Sequence, residues 1–203
     1  LAVAALLAAC GGSSSDSNEP AGTYQVKVTG ASFPGRQVVG QTSLMKIDVK
    51  NDGDKTVPAL TVSVNLKGKE GESAQIPFSV HEPDPELANG DRPVWVLSAT
   101  YPRLAGSPDP GGASTASPGT YTFGALKPGK SVEAVWKLSA VRPGKYTIAY
   151  EVAAGLSNEV KAKTSSGVAP GGSFVTNIST ELPETEVNGA GEIVEIKGAK
   201  QTH

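Results

Sequence analysis

The sequence contains one cysteine, Cys10, and two histidines, His81 and His203. A lone cysteine cannot close an internal disulfide, so whatever folds here is held by packing alone. Nucleophilic catalysis lacks its parts as well, because a serine or cysteine nucleophile needs a positioned base. His203 ends a polar tail, Lys197 to His203, and cannot be held rigidly. No Gly-x-Ser-x-Gly elbow occurs, and the glycines lack the strand-to-helix setting of a phosphate loop. No apolar run approaches the ~20 residues of a transmembrane helix. Eighteen basic residues face twenty acidic ones, and no basic stripe exists to grip nucleic acid or anionic lipid. No cofactor is expected.

Against these absences stand 24 glycines and 15 prolines, which break helices throughout, and a recurring period-two alternation. Tyr24, Val26 and Val28 alternate with Gln25 and Lys27. Met45, Ile47 and Val49 alternate with Lys46, Asp48 and Lys50 before an Asn51-Asp-Gly-Asp54 turn. Leu60, Val62, Val64 and Leu66 form a third apolar face. Val132, Ala134, Trp136 and Leu138 form a fourth, and Tyr146, Ile148, Tyr150 and Val152 a fifth. A further strand is expected at Ser173 to Ser179. Lys127-Pro-Gly-Lys130 and Arg142-Pro-Gly-Lys145 read as tight turns, since Pro presets φ and Gly accepts positive φ. Strands with one apolar face must bury it against a second sheet. The expectation is all-β: an immunoglobulin-like antiparallel β-sandwich with a long insertion between its halves. The pairs 43–50/59–67 and 131–140/145–153 read as two hairpin-like units.

The chain opens on Leu1-Ala-Val-Ala-Ala-Leu-Leu-Ala-Ala-Cys10, followed by a Gly/Ser stretch. Leu7-Ala8-Ala9-Cys10 resembles the lipobox of bacterial lipoproteins, where small residues let the processing enzymes reach a cysteine that becomes the lipidated N-terminus. The resemblance implies a signal peptide ending at residue 9, its beginning lying outside this sequence, and acyl chains on Cys10. It further implies export and anchoring to the bacterial cell membrane or outer membrane. Gly11 after the cysteine, in place of an acidic residue, implies outer-membrane sorting in a Gram-negative host. Two or three chains hold stably, at ~0.8 kcal/mol per buried CH₂. Residues 10–22 then form the lipidated cysteine and a flexible tether with a reach of roughly 20 Å.

A second resemblance covers residues 22–180. Ser43 to Val64, with its strand, Asn51-Asp-Gly and second strand, is similar to the opening of CARDB-type (cell-adhesion-related) Ig-like domains. Leu126-Lys-Pro-Gly-Lys130, Trp136 and Gly144-Lys-Tyr-Thr-Ile148 resemble the later half. That family implies a surface or envelope module without shared catalytic residues. The expected sandwich is 23–180, interrupted at about 67–130, and 181–203 is a final strand or hairpin with a tail.

The insertion holds strand candidates at Ile76 to Val80 and Pro93 to Leu97, and a Pro/Gly-rich stretch from Tyr101 to Gly119. Loops of that length are functional or disordered. Trp95, Tyr101, Tyr121 and Phe123 flank it and are the candidate ligand surface, for a cell-wall glycan or a peptide. The competing reading makes Trp95 and Phe123 core residues on neighbouring strands. His81-Glu-Pro-Asp-Pro-Glu86 gathers Glu82, Asp84 and Glu86, yet reads first as a solvated turn, and no metal is assigned. Asp48 to Asp54 fails as an EF-hand because Lys50 falls at the third ligand position. The expected function is a membrane-anchored, non-catalytic binding, adhesion or structural module. An accessory subunit recognising an envelope protein is the alternative, and a carboxylate-based glycan hydrolase is left open by spacing.

Overall fold

A computed structural model describes residues 19–67, 77–80, 93–107, 113–115, 119–180, 185–187, 189–191 and 193–195. The strands make two main sheets. One runs β12 (Val160–Lys163), β1 (Gly22–Ser32), β3 (Thr42–Asn51), β10 (Ser131–Ala140), β6 (Trp95–Leu97), β5 (Phe78–Val80), and β7 (Arg103–Leu104) also pairs with β10. The other runs β2 (Arg36–Val38), β13 (Gly171–Ser179), β11 (Gly144–Ala153), β4 (Thr61–Leu66), β9 (Thr120–Thr122), β8 (Ala113–Ser114). A separate two-stranded ladder joins β14 (Thr185–Val187) to β15 (Ile193–Glu195). The trio β1–β3–β10 facing β4–β11–β13 is the arrangement of an immunoglobulin-like β-sandwich.

Each alternating run puts its apolar set inward. Met45, Ile47 and Val49 of β3 and Ala134, Trp136 and Leu138 of β10 are fully buried. They meet Val62 and Val64 of β4 and Ile148 of β11 from the opposite sheet in one continuous core. The longest ladder is β3 on β10, in register from Lys50↔Ser131 to Thr42↔Ser139. Lys127-Pro-Gly-Lys130 turns as expected: Gly129 has φ 69° and the Lys130 N–H donates to the Lys127 carbonyl.

The two expected hairpins are not hairpins. β3 and β4 lie in different sheets, as do β10 and β11. A strand with one apolar face is satisfied equally by a neighbour in its own sheet or by a strand across the core. Between β3 and β4 the chain crosses over on Asn51, which is fully buried. Its amide donates to the carbonyls of Lys55 and Leu126, and its oxygen accepts from the Gly53 N–H. A Val57↔Leu126 bridge closes the same corner. The β10–β11 crossing is only Val141 to Pro143, pinned by Tyr146. Its hydroxyl donates to the Pro143 carbonyl at 2.9 Å and accepts from Arg142 Nε at 3.1 Å. This is the tyrosine corner of immunoglobulin-like domains. Gly144 has φ 140°, and a Cβ there would lie 2.9 Å from that hydroxyl.

The insertion is part of the sandwich. It supplies β5, β6 and β7 to the first sheet and β8 and β9 to the second. At the other end of the chain, the Glu19 carboxylate accepts the N–H groups of Leu156 and Ser157, fixing where the sandwich begins.

Candidate functional site

The four aromatic candidates do not make an exposed surface. Trp95 is completely buried, and Tyr121 and Phe123 are also in the core. Trp95 packs edge-on against Phe33 and Tyr146, and its indole N–H donates to buried Gln37 Oε1 at 2.8 Å. Tyr121 and Phe123 stand edge-on to Trp136, at 6.1 and 5.6 Å between ring centres. Only Tyr101 is half-exposed, with the Arg103 guanidinium 4.5 Å from its ring centre. The physical reason is core volume: wide aromatic rings bridge the gap between sheets better than aliphatic chains and stabilise most when dry. Trp95 and Phe123 are core residues, as the competing reading has it, but they are not on neighbouring strands: Trp95 is on β6 of the first sheet and Phe123 lies just beyond the end of β9 of the second. Cys10, His203 and the run His81 to Glu86 lie outside the described residues.

Burial also sets the chemistry of these rings. It pushes the Tyr121 phenol up to about 12 from an ordinary 10.0, and raises Tyr150 as well. Asp52 is held below the usual carboxylate range by its hydrogen bond to Lys50, 2.7 Å away. The Asn51–Asp54 run is a structural corner through the hydrogen bonds of Asn51. Among the described residues, no three potential ligands gather to hold a metal.

The surfaces left for recognition are the outer faces of the sheets, and they differ. The first sheet presents Lys27, Lys46, Lys50, Lys137, Lys161 and Lys163, with Lys46 paired to Glu133 at 3.1 Å. The second presents Ser63, Asn65, Thr120, Thr147, Ala149 and Ser173, joined by Val175, which is 54% exposed. Ser63 and Thr120 share a hydrogen bond at 2.9 Å. Its charges on β11 are confined to Lys145 and Glu151, which register beside Asn177 and Gly171 of β13.

The edge of that second sheet is incomplete. β2 covers only Asn177 to Ser179 of β13. The Asn177 N–H donates to the Gly35 carbonyl and the Ser179 carbonyl accepts from Val39. Odd-numbered residues of β13 thus aim their backbone groups away from β11. Gly171 and Ser173 aim the same way, beyond the end of β2, without a hydrogen-bond partner among the described residues, while the Val175 carbonyl faces Gly35. A groove of about 520 Å³ adjoins this edge, between Val26 and Val28 of β1 and Val168 to Gly171. Sequence reasoning expected the strand but not its exposure. The available signal was charge: from Thr164 to Thr180 no charged residue occurs.

No protein-family model matches this sequence, and no curated protein matches it. Solved structures do resemble it. One is the CARDB domain of a Pyrococcus furiosus protein in complex with di-metal ions, 15% identical with a TM-score of 0.41, covering 77% of this chain and 93% of that one. Another is native alpha-2-macroglobulin from Escherichia coli, 15% identical with a TM-score of 0.42, covering 83% of this chain and 20% of that one. A third is a cohesin module from a Clostridium perfringens family 33 glycoside hydrolase, 9% identical with a TM-score of 0.42, covering 78% of this chain and 99% of that one. At these identities the likeness is one of architecture alone.

Proposed function

We propose that this chain is an exported bacterial lipoprotein whose sandwich is a non-catalytic module of the cell envelope, anchored through Cys10 and contacting another protein. The anchor rests on Leu7-Ala8-Ala9-Cys10 and on the polar stretch between Cys10 and β1. The protein-contacting role rests on one observation, the outer face of the second sheet. Its short hydroxyl, amide and methyl side chains require little charge desolvation on docking, and charge depletion marks the cores of protein interfaces. Glycan recognition loses its platform once Trp95, Tyr121 and Phe123 are in the core, which favours the accessory-subunit reading.

The experiment is expression in a lipidating bacterium beside a Cys10→Ala variant, with intact mass, membrane fractionation and cross-linked pull-down. Wild type is expected to gain an acyl-sized mass, to stay with membranes and to co-purify with a defined envelope protein. If both forms are soluble without added mass, the anchor is refuted. If the lipidated protein captures peptidoglycan and no polypeptide, the accessory role is refuted.

A further inference from the structure

The outer face of the second sheet is neutral along its middle but cationic at the end where β11 begins. Register sets Lys145 of β11 beside Asn177 of β13, and Asn177 beside Arg36 of β2. The Lys67 N–H donates to the Thr147 carbonyl, which prolongs β4 by one residue. Alternation with buried Leu66 puts Lys67 on the same outer face. Arg36, Lys67 and Lys145 are exposed, and none has an ion-pair partner among the described residues. Lys145 and Arg36 stand two strand spacings apart, ~10 Å, or about one Debye length. The one described carboxylate of this face, Glu151, lies at the opposite end of β11. Like charges gathered in this way repel, and an anion relieves them.

The chain carries the matching charge next to this end. No basic residue occurs between Lys163 and Lys197, whereas Glu181, Glu184, Glu186, Glu192 and Glu195 all fall there. β13 ends at Ser179, two residues past Asn177, and β14 starts at Thr185. The five residues between them span at most ~18 Å, which holds the β14–β15 hairpin close to the cations. Inside the hairpin Glu186 stands opposite Val194 and Glu195 opposite Thr185, so neither is neutralised across the strands. The hairpin pairs with neither main sheet, and a two-stranded ladder by itself is marginal in water. It needs a surface to lie on.

We propose that the β14–β15 hairpin lies over the Arg36, Lys67 and Lys145 end of the second sheet's outer face, in the same molecule. Its glutamates meet the three cations, and the short link keeps the pairing intramolecular. The contact also covers Val175, which is 54% exposed two residues before Asn177. The docking rests on neither the lipid anchor nor the contact with another protein. One consequence does rest on that contact: the hairpin competes with the partner for one end of the face.

The test is zero-length carbodiimide cross-linking of the full chain at low micromolar concentration, read by peptide mass. The chain carries Cys10→Ser to prevent disulfide-linked dimers. Links from the glutamates of 181–195 to Lys67 and Lys145 are expected within the monomer. Lys67→Glu with Lys145→Glu should remove them. Adding Glu184→Lys and Glu186→Lys to that variant should restore the link with its charges exchanged. Amide exchange over β14 should be several-fold faster in the first variant and return to the parent rate in the second. Links spread evenly over Lys27, Lys46 and Lys161 of the first sheet overturn the assigned surface. Links confined to a dimer overturn docking within the chain and hand the hairpin to a second copy. The absence of any link overturns the inference outright. Neither a partner nor a membrane enters the assay, so its failure leaves the proposed function standing.

Discussion

The two sheets share one core but are finished differently on the outside. The first alternates inward valine, isoleucine and tryptophan with an outward set of lysines, Asp48, Glu133 and the 42% exposed Leu44, and its β12 edge ends in Lys161 and Lys163. The second alternates an equally apolar inner set with serine, threonine, alanine and asparagine, its β11 charges being Lys145 and Glu151, and β2 pairs with only the last three residues of β13. Inner faces obey packing, which is indifferent to what the outside does. Outer faces record what each sheet must avoid or meet. A lysine-fringed edge excludes further strands; a neutral edge admits one. The proposed contact with another protein rests on that contrast and not on a cavity.

The first way to break the comparison is to remove what both sheets share. Trp136 on β10 carries the edge contacts to Tyr121 and Phe123 across the core. Trp136→Ala should cost about 3–5 kcal/mol in urea unfolding and loosen both faces together. Next comes the polar tie between sheets. Gln37→Leu strips the acceptor from the Trp95 indole N–H and should cost about 1–3 kcal/mol, because a buried donor is left unmet. A third variant isolates the second sheet's inner face through pH. Below pH 10 Tyr121 is protonated whether folded or unfolded, and stability is unaffected. Between 10.0 and about 12 the unfolded phenol ionises while the folded one holds its proton. Stability therefore falls as pH rises through that window, by roughly 1–2 kcal/mol after solvent screening. Tyr121→Phe should reduce the fall of the urea midpoint across it, leaving the part due to Tyr150, and a slope equal to wild type would contradict the assignment. The smallest effect on stability, within about 0.5 kcal/mol, belongs to Lys161→Thr with Lys163→Thr. That pair makes the first sheet's edge resemble the second, and light scattering should report new association.

The alternation of Met45, Ile47 and Val49, or of Ile148, Tyr150 and Val152, made strand positions and inward faces legible from sequence. What alternation cannot encode is the lane a strand occupies. The three residues Val141 to Pro143 span from one sheet to the other, although a link that short also suits a hairpin. Nor does period two reveal the parallel pairing of β12 with β1 or of β2 with β13, because these pairs are remote in the chain. Tyr146 carried a usable clue, standing three residues after Pro143 in a crossing. Trp95 misled as a surface candidate because a Pro/Gly-rich stretch follows it. Its alternation with Leu97 across Val96 was the better guide to burial.

Glu19 and β1 also determine how this body responds to force. The chain enters the sandwich through a strand whose first residues, Gly22 to Gln25, pair with β12, and whose remainder pairs with β3. A pull from the N-terminal side along that strand loads both ladders in shear, so their bonds must yield together and cannot peel one by one. The carboxylate of Glu19, accepting from Leu156 and Ser157, adds a tie just ahead of both ladders. Whatever lies ahead of residue 19 can thus tug on the domain without unzipping it.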